Sequence, residues 1–158
     1  MSLQSPVGSD HQLARLLQIG IVLEEVVEAR AVKHTEAGSL DEEVRALLED
    51  ASAESADHRS QLDALVDELN AETIPFDEIQ SLVETQYESD DEFDGVLYDQ
   101  LCNEETAYKF YDDLIEAIEH SDAEFSIDRD RLLAVLREIR AAEEAGVEEV
   151  TRLMERRE

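Results

Sequence analysis

Apolar residues recur along this chain at intervals of three and four, with polar residues between them, which is the period of a helix that buries one face. The first run opens on a Ser9–Gln12 capping pair and ends at Gly38, a residue type that helix C-termini favour. Its inward line is Leu13, Leu16, Leu17, Gly20, Glu24, Val27 and Ala31. The second run opens on Ser39 with Glu42 and continues to about Asn70, through Leu40, Val44, Leu47, Leu48, Ala51, His58, Leu62, Leu65, Val66 and Leu69. Thr73-Ile74-Pro75 stops it, because proline has no amide hydrogen for the helix ladder and restricts the residue before it.

A short stripe of Phe76, Ile79, Leu82, Val83 and Tyr87 predicts a brief helix over 75–87, inside a connection longer than the usual ~4–6 residues. A crossover of that length lets the second and third long helices run parallel. The third opens on Ser89 with Glu92 and runs to about His120, through Phe93, Val96, Leu97, Leu101, Glu104, Ala107, Tyr111, Leu114, Ile115 and Ile118. The fourth, capped by Ser126 or Asp128, runs nearly to Glu158 through Leu132, Val135, Leu136, Ile139, Ala142, Glu143, Gly146, Val147, Val150, Leu153 and Met154. The pattern predicts an all-α fold, an up-down-down-up four-helix bundle over residues 9–158, after a disordered tail of residues 1–8. No strand alternation, nucleotide-binding glycine loop or nucleophile elbow interrupts it.

Four polar residues stand inside these stripes, one per long helix: Glu24, His58, Glu104 and Glu143. At about 100° per residue, their neighbours Glu25, Glu105 and Glu144 turn away from the apolar side. Carboxylates are seldom buried unless paired or bound to a metal. Carboxylate and imidazole suit iron, manganese or zinc, so the four residues form a candidate metal site, with Glu54 at the stripe's edge as a further ligand within reach. Ser55, one turn before His58, and the aromatics Tyr108 and Tyr111 flank it, the latter two read chiefly as core. The metal-free alternative is a layer in which at least one carboxylate holds a proton and His58 is protonated as partner.

Composition changes the picture in two ways. The 158 residues carry 42 Asp and Glu against 13 Lys and Arg, a formal charge of −29, which repels nucleic acid and anionic membranes and favours cations as small partners. Eleven of the basic residues are Arg and only Lys33 and Lys109 are lysines, a balance that resembles proteins of high-salt cytoplasm, as in halophilic archaea. The single cysteine, Cys102, excludes an intrachain disulfide and a thiolate-built metal site. With no apolar run long enough to span a bilayer and no signal-peptide pattern, the expectation is a cytoplasmic protein. Ile19, Val22 and Val26 add an apolar strip on the far side of the first helix, which predicts a homodimer through that helix.

Four long helices, one long crossover between the second and third, and inward carboxylates at mid-helix together resemble the ferritin-like di-iron carboxylate proteins. Asn103 to Tyr111, NEETAYKFY, is similar to the third helix of their rubrerythrin branch, a glutamate followed by a small residue and an aromatic pair. The resemblance implies that Glu24 and Glu104 are the single glutamates of the first and third helices. It also implies a Glu-x-x-His pair on each of the other two, where this chain has Ser55-x-x-His58 and Glu143-x-x-Gly146. Serine thus stands in place of a glutamate and glycine in place of a histidine. The four-cysteine iron site of rubrerythrins is absent. The implied cofactor is one or two ions of iron or manganese, with redox chemistry on dioxygen or peroxide; the rival expectation is a scaffold that has lost its metal and serves as an interaction module.

Overall fold

The computed structural model describes residues 7–36, 40–73, 75, 78 and 95–157. Four long helices account for most of them: α1 (Asp10–Glu36), α2 (Glu42–Asp67), α3 (Val96–Glu119) and α4 (Arg129–Arg156), with no strand among the described residues. None of these helices is long and apolar enough to cross a membrane. The short helix expected over 75–87 lies almost wholly outside the described residues, as do Gly38 and the Ser89–Glu92 cap.

The helix starts follow local chemistry. The Gln12 amide N–H donates to Ser9 Oγ at 3.2 Å, while Gln12 Oε1 accepts from the Gly8 N–H at 2.6 Å, so the reciprocal bond of the capping pair reaches one residue further back than the sequence suggests. In α2 the cap is Asp41 rather than Ser39, its carboxylate accepting from the Val44 N–H at 3.0 Å. Carboxylates at 41, 42 and 43 all favour the positive end of the helix dipole, which explains the shift. Of the two candidates before α4, Asp128 is the cap, accepting from the Arg131 N–H at 3.1 Å.

Cross-helix contacts give the directions. From end to end, α1 meets α2 through Asp10 with Asn70, Glu24 with His58, and Thr35 with Arg45. It meets α3 through Val7 with Ser121, Glu24 with Tyr111, and Arg30 with Asp99. Glu119 and Asp112 of α3 pair with Arg137 and Arg140 of α4, and Glu43 and Glu68 beside α2 pair with Arg156 and Arg131. In every pair the numbering rises on one partner as it falls on the other. Each neighbouring pair is therefore antiparallel, and α2 and α3 run parallel. The seam between α2 and α4 is the sparsest of the four.

The apolar interior is divided. A larger cluster holds Leu13, Leu17, Leu62, Leu65, Tyr111, Leu114, Ile118, Leu132, Leu136 and Ile139. Val7, counted with the tail in the sequence, is also buried in it. A smaller one holds Ala31, Val44, Leu47, Leu48, Val150 and Leu153. Between them lies a level at which α1, α2, α3 and α4 contribute Glu24, His58, Glu104 and Glu143. The strip on the outside of α1 is narrower than its sequence suggests, because Ile19 is exposed but Val22 packs partly against the larger cluster.

Candidate metal centre

Helical spacing carries each of the four polar side chains inward. Glu24 follows Leu17, Gly20 and Ile21 on the buried line of α1, and His58 lies between Ser55 and Leu62 on that of α2. Glu104 lies between Gln100 and Ala107 on α3, and Glu143 between Ile139 and Val150 on α4. Their exposures are 0%, 4%, 5% and 3% respectively, so water cannot satisfy them and they must satisfy one another.

They do so around two centres that share Glu143. His58 Nδ1 lies 3.3 Å from Glu24 Oε1 and 3.2 Å from Glu143 Oε1, and ligand atoms of these three residues all lie within 4.8 Å of one another. The Tyr111 hydroxyl, fully buried, donates to Glu24 Oε1 at 2.9 Å. Tyr111 is thus both a core aromatic and the group that orients Glu24. Glu104 joins from the other side through a hydrogen bond with Glu143, and the Gln100 amide donates to Glu104 Oε1 at 2.8 Å. The second oxygens, Glu24 Oε2 and Glu104 Oε2, are buried and receive no donor among the described residues.

Protonation follows from this crowding. Burial, the hydrogen bond with Glu104 and the charges of Glu24 and Glu104 push Glu143 from the ordinary 4.5 up to about 12, so it holds a proton at neutral pH. That proton can go to Glu104 or to Glu24, but not to both at once. For His58 burial opposes the imidazolium; the Glu24 hydrogen bond and the charges of Glu24, Glu54 and Asp57 outweigh it and raise the pKa. Burial, then the charge of Glu24, raises Tyr111 well above 10.0 and keeps its hydroxyl a donor.

Glu143 therefore contributes stability that is full below pH 4.5 and is lost progressively as the pH rises towards about 12. His58 contributes in the same sense, fully below its ordinary 6.5 and less as the pH rises through its raised value. The melting temperature of metal-free protein is accordingly expected to fall between about pH 5 and about pH 8, and Glu143→Gln to flatten that fall. Glutamine keeps a donor toward Glu104 or Glu24 without a titrating proton. An equal slope in wild type and variant would contradict the assignment.

The remaining sequence candidates separate. Glu54 is exposed and lines the rim of a cavity of ~100 Å³ whose inner wall includes Glu104 and Gly146. Burial raises its pKa first, with Glu104, Glu24 and Glu149 adding to the shift. Ser55 is buried one turn before His58. Tyr108 is half-buried, and among the described residues no hydrogen bond joins it to the group. A larger cleft of ~380 Å³ beside Arg59 and Asp63 is lined by none of the four.

Two features escape the sequence reading. One is Gln100, which sits one turn before Glu104 on the same line and is fully buried. The other is a buried ionic cluster at the far end of α1, where Arg30 Nη1 donates to Asp99 Oδ1 at 2.8 Å and His34 Nε2 lies 3.0 Å from Asp99 Oδ2. The i, i+4 spacing of Arg30 and His34 beside the apolar line was the available signal. Compared with known proteins, the chain matches no family model, no curated protein and no solved structure.

Proposed function

We propose that the chain is a ferritin-like metal-binding protein that holds one or two divalent ions, iron or manganese, in the layer of Glu24, His58, Glu104 and Glu143. The observation that carries this reading is the pair of buried carboxylate oxygens, Glu24 Oε2 and Glu104 Oε2, that receive no donor. A single proton on Glu143 serves only one of them, whereas a cation held by Glu24, His58 and Glu143, whose ligand atoms lie within 4.8 Å of one another, would satisfy the first, and a second beside Glu104 would satisfy the other. Oxygen and nitrogen donors of this kind suit iron, manganese and zinc. Iron or manganese would supply redox chemistry toward dioxygen or peroxide.

The chain's own residues hold and tune the site. Glu143, within reach of His58 on one side and able to share its proton with Glu104 on the other, is the group common to the two centres. Tyr111 fixes Glu24, and Gln100 fixes Glu104, as neighbouring hydrogen bonds do for metal ligands generally. Binding must displace the Glu143 proton and competes with protonation of His58, whose pKa is raised, so affinity rises with pH.

The test is metal content after purification without chelator, followed by a manganese or cobalt titration monitored by thermal unfolding. Free metal at about 100 times its Kd should stabilise the fold by ~2.7 kcal/mol. No bound metal and no shift in unfolding would overturn the reading. One feature favours a second reading: Glu143 holds a proton and its neighbours raise the pKa of His58, so the layer partly neutralises itself. A scaffold built that way would fold the same with or without metal.

A further inference from the structure

We infer that cations reach the buried layer through the seam between α2 and α4, with Glu104 at the inner end of the passage, its carboxylate seated in the room that Gly146 leaves. The inference rests on the metal-binding reading and names the route into that site. Four small residues, Ala51 on α2 and Ala142, Ala145 and Gly146 on α4, line the cavity at this seam. Its outer part carries the exposed carboxylates Asp50, Glu54 and Glu149, and its inner part reaches Glu104.

Acidic residues crowd the surface of this chain, so carboxylates at a rim prove little by themselves. What distinguishes this place is its inner wall. Glu104 is 5% exposed, yet its Oε2 has no donor, and it lies against Gly146, where an added Cβ would stand 2.6 Å from that oxygen and 2.8 Å from the carboxyl carbon. Real Cβ atoms do not approach so closely. The space that any side chain at 146 would fill is the space the Glu104 carboxylate occupies at the cavity's end. A hydrated cation arriving at the rim thus meets carboxylates outside, small side chains along the way and an unpartnered carboxylate oxygen inside.

The experiment is stopped-flow uptake of cobalt by the whole chain at low ionic strength, read both as an association rate and as end-point cobalt content. Ala51→Leu should slow uptake about tenfold by filling the passage, with Ala145→Leu as the equivalent from α4 should the first fail to fold. Asp50→Asn with Glu149→Gln should slow it several-fold, and raised salt should erase that difference. End-point cobalt content should stay at the wild-type level in each, and Asp122→Asn, at an exposed carboxylate between α3 and α4 that does not line the cavity, should leave the rate unchanged. Wild-type rates in the leucine variants, or equal slowing by Asp122→Asn, would overturn the route while leaving the metal site standing. A wild-type chain that takes up no cobalt overturns both.

Discussion

Asp99→Ala is expected to destabilise the bundle by about 3–5 kcal/mol, the usual effect of removing one partner from a buried ion pair. Asp99 is 8% exposed and lies in the first turn of α3, where a negative charge suits the helix dipole. It accepts from Arg30 at 2.8 Å, lies 3.0 Å from His34, and draws the Asn103 amide at 3.4 Å. Arg30 and His34 are themselves only 8% and 5% exposed, so alanine would remove a charge that a buried guanidinium and an imidazole both face. Surface pairs such as Arg152 with Glu148 are a different class, and losing one should cost at most ~1 kcal/mol. Asp99→Asn keeps an acceptor and should fall between wild type and Asp99→Ala. Urea unfolding reads the difference through the shift in midpoint at constant slope, and a loss for Asp99→Ala below ~1 kcal/mol would mean that solvent reaches the cluster.

Glu104→Gln is expected to weaken metal binding at least ~100-fold, more than the loss of an outer-shell contact gives, and to stabilise the metal-free fold by ~1 kcal/mol or more. Glutamine removes a buried charge facing Glu143 and Glu24 while keeping a carbonyl acceptor for the Gln100 amide. Glu104→Ala is the poorer probe, because it would strand that amide, a penalty of ~1–3 kcal/mol, and leave a void against Gly146. Calorimetric titration with manganese and thermal unfolding of chelator-treated protein read the two effects separately. Wild-type affinity in the variant would remove Glu104 from the ligand set. A wild type that is free of metal as purified, together with a stabilised variant, would favour the scaffold.

Much of the fold and of the candidate site is legible in the sequence alone, for a definite reason. A rotation of 100° per residue places Glu24, His58, Glu104 and Glu143 on apolar lines by arithmetic alone, and each is buried. Glu54 fell at the edge of its line and sits at the edge of the bundle. What stayed hidden depends on which helix faces which, and at what height. Arg30, His34 and Asp99 look like ordinary solvated charges until α3 is laid antiparallel on α1. Gly146 reads as a missing histidine until the pairing of α3 with α4 sets the Glu104 carboxylate where its side chain would be. Caps are hard to place for a local reason, since serine and aspartate compete for the same role within a few residues: Ser126 and Asp128 are both open in the sequence, and the pattern prefers Ser39 where Asp41 is the cap.

The polar level between the two apolar clusters also acts as an index mark for assembly. Leucines and isoleucines can exchange places with little penalty, so helices lined only with them could slide past one another by a turn, about 5.4 Å, and still bury much the same surface. Such a slip here would carry Glu24 away from His58 and Tyr111 and into Leu- and Ile-lined space. It would strand an unpaired charge at a cost of several kcal/mol. Each helix carries one such mark, and all four come level only in the native alignment.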